Sequence, residues 1–307
     1  MNAKTISKFV FLLLLVQASC CFAQNNLDAL LTPADTLNKP RRTAVILSES
    51  ALAGIAFAGF YQSSYKNYTK TDFGFVDNSA QWLQMDKAGL VFSSYHIGNA
   101  AANALQWSGV SKKNQLLYGA TLGFVFLSTL EVFDGYSKQV GASWTDVAAN
   151  AAGTGLYVSQ ELLWNEQRIV PKFSFHASPY AAVNPNQLGT SFTNQIFNDY
   201  NGQTYWLSVN LHSFFKQSKI PKWLNVALGY GAEGMITAND LLVNTVFFPE
   251  KERTRQFYLS FDVNLTKIPT KNRILKTIFS VFNTLKIPAP TFEINSRGAS
   301  KFRLFYF

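Results

Sequence analysis

The sequence predicts an α+β protein: an N-terminal helical bundle, then an antiparallel β-sheet or partial barrel carrying one basic amphipathic helix. Three observations lead there. From Thr43 to about Trp164 the chain is rich in Ala, Gly, Leu and Ser, with apolar residues at helical spacing. Beyond about Phe173, apolar and polar residues alternate one for one, the period of strands with two unlike faces. Between Lys271 and Leu285 the alternation stops, and Ile274, Leu275, Ile278, Phe279, Phe282 and Leu285 form a helical stripe. The change of pattern falls near Ile169-Val170-Pro171, giving a helical domain over 43–168 and a β-rich region over 169–307.

In chain order, residues 1–23 read as a secretory signal peptide. Lys4 and Lys8 supply a positive start, Phe9 to Val16 an apolar core, and Cys21-Phe22-Ala23 a cleavage site before Gln24. The apolar run is well short of the ~20 residues a membrane-crossing helix needs. Both cysteines, Cys20 and Cys21, lie in this segment, so cleavage after Ala23 leaves a chain without thiol or disulfide chemistry. A lipid anchor would need a leucine-like residue three places before the acylated cysteine. Gln17 and Ala18 stand there instead, which favours soluble cleavage.

Residues 24–42, with Pro33 and Pro40, read as an extended lead-in. Ala44 to Phe60 is a first helix, Tyr61 to Asn78 a loop, Ala88 to Trp107 a charge-free helix, and Leu116 to Phe133 a third. Small residues such as Gly98, Ala101 and Ala102 suit close helix packing in water or lipid. The third helix delivers Glu131 and Asp134, three apart on one face, at its C-terminal end. Carboxylates there oppose the helix dipole and call for a compensating cation or donor. Gly135 reads as the flexible stop. Ser143 to Asp146 is S-x-x-D, a capping-box pattern that starts the next helix. On it Asp146, Asn150 and Gly153 form a stripe whose glycine lets a neighbouring backbone approach. Each of these residues also has an ordinary reading: Asp146 as a capping residue, Asn150 as a core amide, Glu131 and Asp134 as solvated groups.

The second half contains five or six strands. Trp206 to Phe214 and Phe257 to Leu265 alternate cleanly; Trp223 to Met235 and Phe302 to Tyr306 do so less regularly, and Phe173 to Val183 and Thr291 to Asn295 are weaker. Two environments produce such alternation. One is a sheet packed on the helices, the preferred reading; the other is an outer-membrane barrel with apolar residues facing lipid, which commonly needs ~8 strands. The Lys271–Leu285 helix, with Lys271, Arg273, Lys276 and Lys286 beside its stripe, reads as a surface helix covering the sheet, or as one lying in a membrane interface.

Composition narrows the chemistry. The formal net charge is +9, and the excess lies in the second half, where residues 169–307 hold 15 basic against 7 acidic side chains. That half is the natural neighbour of an anionic surface. A nucleic-acid partner fits poorly, since no binding motif accompanies the charge. His96, His176 and His212 lack metal-ligand spacing, so no metal is expected. No G-x-S-x-G elbow and no phosphate-cradling glycine loop occurs, so neither a serine nucleophile nor a nucleotide cofactor is expected. The candidate constellation is Asp86, Lys87, Glu131, Asp134, Asp146 and Asn150.

Read in order, Asp86-Lys87-x-Gly89, Glu131-x-x-Asp134-Gly135 and Asp146-x-x-Ala149-Asn150-x-x-Gly153 resemble the signature of the YfiM-like predicted periplasmic lipoproteins, a bacterial envelope family of unknown function. More distantly they resemble the VanZ-like membrane proteins. The resemblance covers roughly Ala80 to Gln160 and leaves the strand-rich half outside. It implies an envelope location, in periplasm or outer membrane. One departure matters: the family pattern places a histidine directly after Asp-Lys-x-Gly, and this chain has Leu90 there. Any acid–base chemistry resting on that histidine is therefore missing.

Two functions follow as expectations. The first is an exported, non-catalytic scaffold or binding protein, partnered by a membrane surface or an envelope protein. The second is an enzyme acting on a lipid or cell-wall intermediate through paired carboxylates. Carboxylates converging in an open cleft would mark the enzyme; the same groups buried and hydrogen-bonded would mark the scaffold.

Overall fold

A computed structural model describes residues 28–238 and 253–307; the segment expected to be a signal peptide, with its two cysteines, lies outside the described residues. Four long helices come first: α1 (Lys39–Ser63), α2 (Met85–Trp107), α3 (Lys112–Gly135) and α4 (Trp144–Trp164). The extended lead-in is corrected: residues 28–31 make a helical turn and α1 already begins at Lys39. Local chemistry explains the earlier start. The Asn38 side chain accepts from Arg41 N at 3.0 Å, and Pro40 sits in the first turn, where its missing N–H costs nothing.

α2 is the axle of the helical layer, with α3 and α4 packed on it through glycines. A Cβ on Gly98 would lie 2.3 Å from Ala120 O, on Gly123 2.1 Å from Ser94 O, and on Gly153 2.2 Å from Val91 O. Near the first of these contacts α3 widens into a π-helical turn, Gln115–Ala120. Tyr95, Ala102, Ala120, Tyr157 and Val170 form the buried apolar cluster between the layers.

The strands β1 (Ile169–Phe175), β2 (Gln203–Asn210), β3 (Leu224–Glu233), β4 (Thr254–Val263), β5 (Ala289–Asn295) and β6 (Ser300–Tyr306) form one antiparallel open sheet in sequence order. Two expected strands are shorter than predicted. Residues beyond Phe175 form turns and short helices rather than strand. β2 ends at Asn210, whose side chain accepts from Ser213 N at 3.0 Å and caps a helical turn, Leu211–Phe214. The sheet curls until Tyr306 on β6 meets Trp206 and Tyr258, with the Tyr306 and Tyr258 hydroxyls 3.0 Å apart. The free edge of β1 is occupied by the segment before β5: Phe173 N donates to Thr284 O and Lys286 N to Phe173 O, both at 2.9 Å.

The faces of this sheet run against the preferred expectation. The polar parity points inward, and much of the apolar parity points out. On β4, Gln256, Ser260 and Asp262 are buried while Phe257, Leu259 and Phe261 are exposed; on β5, Thr291 and Glu293 are buried while Phe292 and Ile294 are exposed. Inside, Lys172 and Asp262 pair at 2.8 Å with side chains 0% exposed, Ser208 Oγ donates to Asp262 at 2.6 Å, and Asn225 Nδ2 donates to Ser208 Oγ at 2.8 Å. Buried polar groups tolerate such an interior only when paired, and these are.

The helical layer covers only part of the outer face. Phe92 of α2 meets Phe173 and Tyr205, each with ring centres 5.9 Å apart, and His96 Nε2 lies 2.7 Å from Pro171 O. Beyond the N-terminal end of α2, Trp82, Leu83 and Gln84 adopt left-handed backbone (φ 48°, 51° and 64°), a costly conformation for side-chain-bearing residues. Sheet contacts hold the turn: Trp82 N donates to Ala238 O at 3.0 Å, Tyr230 donates to Leu83 O, and Arg255 donates to Gln84 at 2.5 Å.

The basic helix α5 (Arg273–Phe282) does not cover the sheet with its stripe. None of its residues is buried, and Leu275, Ile278, Val281 and Phe282 are exposed. Lys286 is a second correction. It does not join the surface lysines but is buried, with its ammonium 5.0 Å from the Trp206 ring centre and donating to Ile287 O at 2.6 Å.

Candidate functional site

The site forms where the first turn of α2, the end of α3 and the start of α4 come together under the loop before α2. Ser143 caps α4, accepting from Asp146 N at 3.3 Å. The reciprocal half of the capping box comes from elsewhere: Ser143 N donates to Glu131 Oε2 of α3 at 3.2 Å. Asp146 is thereby free to turn its carboxylate to α2. Lys87 Nζ lies 2.6 Å from Asp146 Oδ1, 2.8 Å from Asp86 Oδ2 and 2.8 Å from Asn78 Oδ1. Asn78 and Asp86 take two of the three ammonium donors, and Asp146 faces the charge as an ion pair.

Asn78 is the residue that sequence reasoning missed. It is buried, its Nδ2 donates to Asp146 Oδ2 at 2.7 Å, and its Oδ1 accepts from Ser143 Oγ at 2.5 Å and Thr145 Oγ1 at 2.9 Å as well as from Lys87. It lies in an aperiodic loop, and nothing in one sequence marks such a residue. Asp72-x-Gly74-x-Val76 flanks it and ties the loop down: Gly74 N donates to Gly135 O at 2.9 Å and Val76 N to Ala142 O at 2.8 Å. Gly135 is the last helical residue of α3 rather than a left-handed stop. A Cβ there would sit 2.2 Å from the Phe73 ring, so close approach explains the glycine.

The candidates do not all meet. Asp86, Lys87, Glu131 and Asp146 share the cluster. Asp134, one turn beyond Glu131, lies beside Tyr65, whose hydroxyl donates to Leu130 O at 3.5 Å. Asn150 is fully buried one turn along α4, and neither end of its amide has a partner; Thr154 Oγ1, a further turn on, has none either.

Burial dominates the electrostatics. It pushes Glu131 up to about 8, reinforced by Asp146 and Asp134, so this carboxyl is largely protonated at neutral pH. Asp134 rises to about 6, again through burial, with the neighbouring Tyr65 hydroxyl opposing. Asp86 is raised by burial against the pull of Lys87. His96 falls to about 4 because it is buried, and it stays neutral as a structural partner of Pro171.

Chemically, the cluster is a closely paired network in which Asp146 Oδ1 has the Lys87 charge beside it but no hydrogen bond. Side chains of Lys87 and Asp146 are only 12% and 11% exposed. A groove of about 800 Å³ lies elsewhere, between α1, α2 and α3, lined by Val45, Leu52, Ile97, Ala101 and Phe126 among others. Among the described residues no group of His, Cys, Asp or Glu has the arrangement of a metal site.

Residues 72–161 match the model of a family described as predicted periplasmic lipoprotein (DUF2279). The matched span runs from the loop carrying Asn78 into the last turn of α4 and contains every residue of the cluster, while the sheet lies outside it. The comparisons with curated proteins and with solved structures return no match. The family description is consistent with an exported protein of unknown activity.

Proposed function

We propose that this is a non-catalytic protein of the bacterial envelope, embedded in a membrane through the outer face of its sheet, with the helical layer as a rigid scaffold beside it. The observation that carries the reading is the inverted sheet. Leu228, Phe257, Leu259, Phe261, Phe292 and Leu304 stand on one continuous face at 46–68% exposure. The residues between them are the buried, hydrogen-bonded polar set. A water-exposed sheet would bury the other parity. Apolar-out and polar-in is the arrangement of strands whose solvent is hydrocarbon, and exposed apolar area of this extent marks a membrane or partner surface.

The helical layer supports the scaffold half of the reading. The polar cluster is buried and its donors are taken up by neighbours, as in a lock between helix ends rather than an open cleft. Leu90 in the place of the YfiM-like histidine agrees with this, as do the signal-peptide features of residues 1–23. Two helical stretches, Lys39–Asn67 and Lys112–Gly135, are long and apolar enough to cross a membrane by composition alone, but the proposal rests on the sheet.

Alkaline carbonate extraction of the native envelope tests it. The protein is expected to stay in the pellet and to require detergent for release. Recovery in the carbonate supernatant would refute membrane embedding.

A further inference from the structure

We infer that the end of the sheet carrying α5 lies at the membrane–water boundary and binds anionic phospholipid headgroups. This deepens the proposed function and rests on it. The β2–β3 connection and the β4–α5 connection are neighbours there, since Asn264 N donates to Trp223 O at 2.8 Å. The first connection contributes Lys216, Lys219 and Lys222, all exposed; the second contributes Lys271 and Lys276, exposed, and Arg273, partly exposed.

No acidic residue occurs between Tyr200 and Ala232 or between Val263 and Phe292. The nearby Glu166 is engaged by Arg168 at 2.8 Å and by Lys267 at 3.0 Å. The six cations therefore have no acid of their own connections to neutralise them. Interleaved with them are exposed apolar side chains: Phe214, Phe215 and Trp223 on one connection, Ile278, Val281 and Phe282 on α5.

A helix with this division, apolar on one side and cationic on the flank, seats its apolar side at the acyl boundary and leaves its cations at headgroup depth. Aromatic side chains prefer the same depth. A cationic rim without acids complements anionic headgroups, at about 1 kcal/mol per Lys or Arg near the surface, roughly fivefold in affinity each. Protein partners could meet the charge, but the apolar rim is continuous with the bare outer face of the sheet, and one medium then covers both.

The test uses the full chain reconstituted into phosphatidylcholine vesicles doped with brominated phosphatidylglycerol or brominated phosphatidylcholine. Tryptophan quenching reports which lipid contacts the protein. Quenching by the brominated phosphatidylglycerol is expected at several-fold lower mole fraction. The preference should shrink in high salt and vanish in K271E/R273E/K276E, while quenching by brominated phosphatidylcholine stays at the wild-type level and shows that the variant is folded and embedded. Equal quenching of the wild type by both lipids overturns the headgroup inference and leaves embedding intact. Quenching by neither overturns embedding, and the inference with it.

Discussion

Lys87→Met removes the one cation of the polar cluster and leaves its surroundings in place. In the wild type the ammonium holds Asp86 at 2.8 Å, Asp146 at 2.6 Å and Asn78 at 2.8 Å, with a side chain 12% exposed. Breaking a buried pair by deleting one partner costs ~3–5 kcal/mol, because the other charge stays buried. Protonation of a stranded carboxyl caps the loss, since each unit of pKa shift is worth ~1.4 kcal/mol. A cost of about 3 kcal/mol is therefore expected at pH 8, a fall in Tm of roughly 6–12 °C on the scale of mid-sized domains, and less at pH 5. Circular dichroism melts of the detergent-purified full chain read it directly. Lys87→Met combined with Asp146→Asn should recover part of the loss, because the double variant no longer strands Asp146. A Lys87→Met protein melting within about 1 °C of wild type at pH 8 would refute the structural lock. Groups held ready for a reaction commonly tolerate or gain stability on removal, so that result would revive the catalytic reading.

Glu131 predicts a pH dependence of definite sign. Its folded pKa of about 8 exceeds its ordinary 4.5, so the fold binds the proton more tightly than the unfolded chain, and stability declines as pH rises from about 4.5 to about 8. Glu131→Gln should flatten that decline in a Tm-against-pH series and melt above wild type at pH 8. Two glycines of α4 should respond oppositely to alanine in thermal melts. At Gly153 the new Cβ would lie 2.1 Å from Ser94 Oγ and 2.2 Å from Val91 O, and overpacking of that kind costs ~1–3 kcal/mol; at Gly155 nothing lies within 4 Å, and relief of backbone entropy stabilises by about 0.5–1 kcal/mol. Leu259→Lys separates lipid from water around the sheet: in vesicles a lysine on a lipid-facing strand costs ~2–4 kcal/mol near mid-depth, whereas a surface exchange in water stays within about 0.5 kcal/mol. Denaturant titration of the reconstituted protein measures the difference.

How much of this was legible in one dimension follows from how local each cause is. The helix of Ser143–Asp146 onwards announces itself because a cap and an apolar period lie within one or two turns, and Ser143 does cap it. The strands around Trp206, Phe257 and Phe302 were legible for the same reason, since alternation is a property of neighbours along the chain. Asn78 was not, because its importance comes from Lys87, Ser143 and Asp146, up to 68 residues away. Lys286 looked like one more surface lysine beside Lys276, yet the strand-edge pairing of Thr284 and Lys286 with Phe173 turns it inward onto Trp206. The faces of the sheet were the least legible feature. Alternation establishes that a strand has an apolar and a polar side, and it is symmetric as to which of them is buried. By itself the sequence determined the elements, their order and the division of each strand into two unlike faces, all set by local periods. Only the tertiary structure decided that the polar face is the inner one, because that depends on Lys172 of β1 and Ser208 of β2 both finding Asp262 of β4, across strands that are not neighbours in the sheet and meet only when it curls.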